Sequence, residues 1–398
     1  MQYLPRSKTR RIAKHRSRRR PLFPWVRLAT LVAVSGLLAS GTAAAFTVND
    51  LSIAIEKSVV ETHKLVTPLP RETNEPLPPD SYDGRAINIL LMGRDNVDED
   101  GKIREGDSGE GMRADTNILM HVSADRSRVE MISIPRDTIV RIPRCPRSDG
   151  TVAPATRGMF NAAFSRGGAH GDIGSAAACT INTVQQLTGL TIDDFVVVNF
   201  AGFRGMVDAL GGVEMCLDAH YADPHYTGLD VGPGCMLMDG LTAAHFARAR
   251  HVTNSDGSDT SRIGRQQQLV GRLVTTALDE ALWTQVSFAK EALKNANMSR
   301  RLGSVSTLMG LGNSLSGIDR HNIVFATAPW TIDPADPNRV LLTSKAELMW
   351  DALDKDEPLP DGFERKDAEG IVRDTIEFHE PSPEPSPSPD NNLAPTQE

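Results

Sequence analysis

Three times between residues 88 and 141, carboxylates and arginines gather at the end of a short apolar run. Arg94 and Asp95 follow the run 87–92 and Gly93, Arg113-Ala114-Asp115-Thr116 opens the run 116–122, and Pro135-Arg136-Asp137-Thr138 closes the run 129–134. Carboxylates beside arginines suit a divalent cation together with phosphate oxygens: a hard cation takes oxygen ligands, and guanidinium grips phosphate through paired N–H groups. The bland reading of any one cluster is a solvated strand end carrying a surface ion pair of little energetic consequence. Three clusters in so short a stretch weigh against it. A second concentration of cations lies downstream, with Arg248-Ala249-Arg250 before a polar loop at 254–260 and Arg262, Arg265, Gln266 and Gln267 after it. The latter group falls at the amino end of a helical pattern and can reach one side of it. Cations there oppose the helix macrodipole, a conflict that an anionic ligand would resolve. The alternative is simple pairing of Arg262 and Arg265 with Asp256 and Asp259.

Elements able to position these groups can be read from the apolar pattern. Runs at 87–92, 116–122, 129–134, 195–200, 213–217 and 323–328 read as strands. In the segment 171–189, Ile173, Ala177, Ile181, Val184 and Leu187 recur in steps of three and four, which predicts an amphipathic helix. Further helices are expected at 202–210, 241–250 (ending in Arg248-Ala249-Arg250), 261–282, 283–313 and 344–354. Alternating strands and helices predict a layered α/β fold. In open α/β sheets the polar strand ends line the ligand crevice, so Asp95, Asp115, Arg136 and Asp137 are expected to face one site.

Composition adds a compartment. The chain has 398 residues and a net charge of −8, yet residues 1–27 hold ten Lys and Arg and no acid, so the remainder carries −18. Residues 28–46 are nineteen in a row without charge, close to the ~20 needed to span a bilayer as a helix. A basic amino-terminal flank keeps itself in the cytoplasm and sends the rest outside. Thr42-Ala43-Ala44-Ala45 could be a cleavage site, but the span exceeds a usual signal core, which favours a retained anchor. The basic arm could bind nucleic acid. The adjoining span explains it more economically, and the acidic body argues against a nucleic-acid partner. Four cysteines in an exported domain predict disulfides. Of the three possible pairings, Cys145 with Cys179 and Cys216 with Cys235 is favoured, because the second pair closes a loop rich in Pro and Gly. The expected organisation is a basic arm at 1–27, a membrane anchor at 28–48, a proline-rich spacer at 49–85, a globular domain at 86–358, and an acidic, proline-rich, disordered tail at 359–398.

With these residues in order, the chain resembles the LytR-CpsA-Psr family of membrane-anchored cell-wall glycopolymer ligases. The motifs are Gly93-Arg94-Asp95, Arg113-Ala114-Asp115-Thr116, Ser133-Ile134-Pro135-Arg136-Asp137-Thr138, Phe160-Asn161-Ala162-Ala163-Phe164, Asn199-Phe200-Ala201-Gly202-Phe203, Asp208 to Val213, Ala247-Arg248-Ala249-Arg250, and Ser258-Asp259 with Arg262 and Arg265-Gln266-Gln267. The resemblance implies an α-β-α domain with a central mixed sheet behind a single transmembrane helix. It implies a phosphotransferase that moves a glycan from an undecaprenyl-pyrophosphate carrier to a muramic acid hydroxyl of peptidoglycan, with pyrophosphate hydrolysis as a side activity. A non-catalytic binder of lipid-linked glycan is the competing reading. Asp95 and Asp115 would hold Mg2+ or Mn2+, and one of them would assist proton removal. Asp115, Arg136, Arg248 and Arg250 would carry catalysis, while Arg113, Arg136, Asp137, Asn161, Arg248, Arg250, Arg262, Arg265 and Gln266 would bind the pyrophosphate. Many relatives carry a lysine where Met159 stands, so a basic contact is missing or moved, with Arg147 or Arg157 as replacements. The resemblance also implies an apolar tunnel for the prenyl tail, and the identity of the glycan stays open.

Overall fold

The computed structural model describes residues 58–62, 64–67, 84–94, 112–253, 259–279, 288, 291, 296–303, 305–315, 317–368, 370, 372 and 373. In chain order these form β1 (Ile87–Arg94), β2 (Ala114–Val122), β3 (Val129–Ser133), β4 (Ile139–Ile142), β5 (Cys145–Pro146), β6 (Val152–Ala153), β7 (Thr156–Met159), α1 (Ala162–Gly167), α2 (Ile173–Thr188), β8 (Asp194–Asn199), α3 (Phe200–Ala209) and β9 (Val213–Leu217). There follow β10 (Tyr221–Asp223), β11 (Leu229–Val231), β12 (Gly234–Met238), α4 (Gly240–Arg248), α5 (Asp259–Asp279), β13 (Ala296–Met298), α6 (Val305–Leu315), β14 (Ile323–Thr327), β15 (Trp330–Asp333), β16 (Asp336–Leu342), α7 (Lys345–Asp354), β17 (Arg365–Asp367) and β18 (Val372–Arg373).

Eight strands make the central sheet in the order β13-β8-β1-β2-β3-β14-β17-β18. It is mixed: β1 runs parallel to β8 and β3 to β14, while β2 is antiparallel to both β1 and β3. The four strands β8, β1, β3 and β14 therefore share one direction, and their carboxyl ends lie along one edge beside the amino end of β2. Both faces are covered. Leu90, Leu119, Ile132 and Phe195 pack with residues of α1, α2 and α7 on one face, while Ile89, Ile118, Met131 and Phe325 pack with residues of α5 and α6 on the other. Strands buried on two faces need near-continuous apolar runs, which is why β1, β3 and β14 lack strict alternation. A third apolar cluster joins α3, α4 and α5 to the small strands β9 to β12. There a side chain has no room at Gly240, whose Cβ would come within 2.3 Å of the Arg204 carbonyl oxygen.

Both expected disulfides are present, Cys145 with Cys179 and Cys216 with Cys235. The first ties β5 to α2, and the second joins directly opposed residues of β9 and β12.

Four expectations are corrected. Residues 58–62 and 64–67 do not stand off as spacer: Val59 bridges Met298, Asn182 Nδ2 donates to the Leu65 carbonyl, and Gln185 Nε2 donates to that of Thr67. The stretch 283–313 is not one helical region, since Ala296–Met298 adds an edge strand to β8. The expected tail supplies β17, which pairs with β14, and buried Phe363, Arg365 and Asp367 alternate inward in strand fashion. The helix expected over 241–250 ends at Arg248, because Ala249 is extended at ψ 127°. The arm and the apolar span at 28–46 lie outside the described residues. Among the described residues no helix is long and apolar enough to cross a membrane.

Candidate functional site

Asp115 is the centre on which the predicted residues converge. It sits at the amino end of β2, among the carboxyl ends of β1, β3 and β8. One carboxylate oxygen faces Arg136 Nη1 at 3.0 Å and the other faces Arg250 Nη2 at 3.0 Å. Asn161 Nδ2 lies 3.4 Å from the first oxygen, and Arg262 Nη2 donates to the Asp115 backbone carbonyl at 3.4 Å. Burial alone would raise the Asp115 carboxyl, but Arg136, Arg262 and Arg250 outweigh it and hold the group below its ordinary value. It is ionised whenever the fold is intact near neutrality.

Local backbone explains the convergence. Pro135 ends β3, and the turn that follows presents Arg136 and Asp137, with Arg136 Nε 3.6 Å from the Asp137 carboxylate. Asn161 N donates to the Arg136 carbonyl and Phe160 N to that of Thr138, so the Asn161 motif is stitched to the Arg136 motif by backbone. The extended Ala249 throws Arg250 off the end of α4 and toward Asp115. Arg248 stays on the helix with its guanidinium 4.8 Å above the Phe200 ring, a cation–π contact.

Two cavities meet at this point. The wider is a cleft of about 830 Å³, lined by Arg113, Asp115, Arg136, Asp137, Met159, Asn161, Arg250 and Arg262, and on its far wall by Trp330, Ile332, Asn338 and Arg339. The narrower, about 130 Å³, has an apolar body of Val198, Phe200, Phe203, Leu269 and Val270, with Arg94, Arg248 and Gln266 at its polar side. Asp115, Arg250 and Arg262 line both. A cationic neck therefore separates an open polar cleft from a small greasy one.

Nine predicted residues thus lie in the site: Arg113, Asp115, Arg136, Asp137, Asn161, Arg250 and Arg262 in the cleft, and Arg248 and Gln266 in the narrow pocket. Gln266 lines that pocket while its amide donates to the Ala247 carbonyl at 3.1 Å. Arg265 is a correction: it is buried, lines neither cavity, and donates to the Ala249 carbonyl and to Ser261 Oγ. Helical spacing put it one step round from Arg262 and Gln266, where it braces the turn that aims Arg250. Arg147 is equally absent from the cleft, with its guanidinium bound to the Arg166 carbonyl, and Arg157 lines neither cavity. Met159 does line the cleft, and the extra cation there is Arg339. Sequence reasoning missed Arg339, Trp330, Ile332 and His251. The turn signal Pro334-Ala335-Asp336-Pro337-Asn338 between two apolar runs could have revealed the β15–β16 hairpin.

Asp95 lies outside the described residues. Among the described residues no group of three or more His, Cys, Asp or Glu could hold a metal ion. The donors beside Asp115 are nevertheless of the right kind for a hard cation. They are carboxylate oxygens and the buried Asn161 Oδ1, which has no hydrogen-bond partner.

The LytR_cpsA_psr family profile matches residues 52–355. The chain is 33% identical over 196 residues to the "Probable cell wall biosynthesis protein LcpB" of Corynebacterium glutamicum, covering 48% of this chain and 42% of that one. It is 30% identical over 188 residues to the "Polyisoprenyl-teichoic acid--peptidoglycan teichoic acid transferase TagU" of Bacillus subtilis, covering 47% and 51% respectively. The chain thus spans about half the length of these relatives. The crystal structure of B. subtilis TagV shares the fold at a TM-score of 0.52 and 22% identity, over 69% of this chain and 98% of that one.

Proposed function

Because this chain belongs to the LytR_cpsA_psr family, we propose that it transfers a glycopolymer from a polyprenyl-pyrophosphate carrier to a hydroxyl of peptidoglycan. The observation that carries the reading is the cationic neck: Arg136, Arg250 and Arg262 surround one ionised carboxylate between a polar cleft and an apolar pocket. A prenyl pyrophosphate has that polarity. The isoprene next to its phosphates fits the narrow pocket, its phosphates the neck and its glycan the cleft. The name of B. subtilis TagU, a polyisoprenyl-teichoic acid–peptidoglycan teichoic acid transferase, describes the same kind of reaction.

The acceptor hydroxyl attacks the phosphorus that bears the glycan, and a new O–P bond forms as the bond to prenyl phosphate breaks. The electron pair leaves with the prenyl phosphate, and the hydroxyl proton passes to a base in the cleft, where Asp137 and His251 stand. Positioning and charge neutralisation supply most of such catalysis. Arg136 and Arg250 hold phosphate oxygens, and Arg262 steadies the Asp115 backbone. The same arginines that hold the Asp115 carboxyl below its ordinary value make it a weak base, so it fits the holding of a cation better than proton abstraction. Asp115, with Asn161 and Asp95, would hold Mg2+ or Mn2+, which when bound supplies charge neutralisation at the pyrophosphate. Water in place of the acceptor would give pyrophosphate hydrolysis as a side reaction.

The proposal extends to the whole chain: the arm at 1–27 cytoplasmic, 28–48 a retained membrane helix, and the domain outside. The basic flank supports this, as do the two disulfides of the domain. Purified full-length protein in detergent, given a polyprenyl-pyrophosphate oligosaccharide and sacculi, is expected to transfer glycan in the presence of Mg2+. Arg136→Ala is expected to lower that rate by ~10²-fold or more. Tight donor binding without turnover would replace this reading with that of a binder.

A further inference from the structure

The β15–β16 hairpin is fastened to the Arg136-Asp137 turn and turns an aromatic face toward the cleft. Val340 N donates to the Asp137 carbonyl at 3.3 Å, and Val340 forms a bridge with Thr138. Trp330 and Ile332, two residues apart on one face of β15, are 36% and 56% exposed, and both line the cleft wall. Beyond Trp330 a further depression of about 650 Å³ opens, lined by Thr343, Lys345 and Lys366 among others. Trp330 belongs to both hollows. The Thr343 hydroxyl is buried there without a hydrogen-bond partner. Lys345 is exposed, and Lys366 Nζ sits 3.9 Å from Glu364.

We propose that this hairpin is the acceptor subsite, on which a carboxylate-bearing amino-sugar strand lies across Trp330 with its carboxylates toward Lys345 and Lys366. The assignment rests on the transfer reading above and adds the acceptor's location to it. The side follows from the displacement: attacking and leaving oxygens lie roughly in line across phosphorus. The leaving prenyl phosphate belongs to the narrow pocket, which meets the cleft at Asp115, Arg250 and Arg262. Hairpin residues line the cleft and not that pocket, so an attacking hydroxyl enters from their side. An exposed indole flanked by polar groups offers a sugar ring an apolar face with wet edges. Two ammonium groups and an unsatisfied hydroxyl beyond it suit the carboxylates and amides that peptide stems carry. The tie from Val340 to Asp137 sets the bound strand in register with the arginines.

The test measures binding without donor. Full-length protein in detergent is titrated with soluble, uncrosslinked peptidoglycan strands, and in parallel with the same strands after their stem carboxylates have been converted to amides. Trp330→Ala is expected to weaken both by about ten-fold, the scale of one lost ring contact, and Trp330→Phe to restore most of the loss. The double variant Lys345→Ala/Lys366→Ala is expected to weaken the carboxylate-bearing strands by about ten-fold and the amidated strands hardly at all. Wild-type affinity in Trp330→Ala overturns the assignment, as does an equal loss on both strands in the lysine variant. Trp330-dependent binding with no transfer by wild-type protein upholds the subsite while removing the transfer reading. Transfer by Trp330→Ala at the wild-type rate and half-saturating acceptor concentration removes the subsite and leaves the transfer reading in place.

Discussion

Replacing Asp115 with Asn removes one negative charge from among three guanidinium groups while keeping the side chain's shape. In the wild type each carboxylate oxygen takes a charge-assisted hydrogen bond of 3.0 Å, from Arg136 and from Arg250. Such bonds contribute about 1.5–3 kcal/mol each when shielded. Arg250 is 42% exposed, so its share falls toward the surface value of under ~1 kcal/mol. The amide can still accept one bond, which leaves a net loss of about 2 kcal/mol, or a melting temperature lower by roughly 4–8 °C. Anion binding moves the other way. A unit charge about 4 Å away is worth ~4 kcal/mol at an effective dielectric of 20 before further screening. Without its competing carboxylate, the arginine cluster should bind a prenyl pyrophosphate at least about ten-fold more tightly in EDTA. Glycan transfer with Mg2+ present should nevertheless drop ~10²- to 10³-fold. Calorimetric titration in EDTA and a gel-based transfer assay on the same preparation test both limbs. Weaker metal-free binding in Asp115→Asn would refute the competition argument, and an undiminished transfer rate would refute the catalytic one.

Arg265→Ala should destabilise the fold by about 1–3 kcal/mol by stranding the Ala249 carbonyl, and should reduce but not abolish the rise in melting temperature caused by prenyl pyrophosphate, because it acts only by bracing the turn before Arg250 while Arg136 and Arg262 remain. Loss of that rise would return Arg265 to the ligand site. Met159→Lys places a cation on the cleft wall and should tighten pyrophosphate binding several-fold at low salt, with the gain fading at high salt as an exposed charge is screened; an isotherm unaffected by the substitution would show that this wall is not at the phosphates. Burial raises the Glu130 carboxyl, so its favourable contribution is complete below its ordinary value of about 4.3 and disappears as pH climbs through the raised folded value. Glu130→Gln should therefore gain stability relative to wild type between pH 4 and pH 8 in melting curves, and a gap constant with pH would contradict the shift. Cys145 and Cys179 are 34 residues apart, and Cys216 and Cys235 are 19 apart. Each bridge should contribute about 3–4 kcal/mol in the chain-entropy account, so urea midpoints should fall markedly in either paired Cys→Ala variant.

Much of this molecule is local in origin and hence readable along the chain. The strands at 87–94, 114–122 and 129–133 and the helix Ile173–Thr188 are fixed by apolar runs and by three- and four-residue steps. Burial of those faces leaves them no other state. The clusters at Asp115, Arg136, Asn161 and Arg250 could be singled out because charge at the end of a buried strand is costly unless something uses it. Other features depended on partners far away in sequence. β17 looks like tail because three residues carry no periodicity, and it becomes a strand only where β14 leaves an edge open. Arg265 and Arg262 carry the same chemistry three residues apart. Which of them meets a ligand and which props Ala249 is decided by the direction in which α5 crosses α4. Trp330 and Arg339 are ordinary surface types in an unremarked hairpin until the bond from Val340 to Asp137 draws them over the cleft. Sequence alone determined which residues are charged, how they are spaced and that a layered sheet would hold them. Tertiary structure alone decided which cations share Asp115, because that choice is made by contacts spanning 21 to 147 positions along the chain.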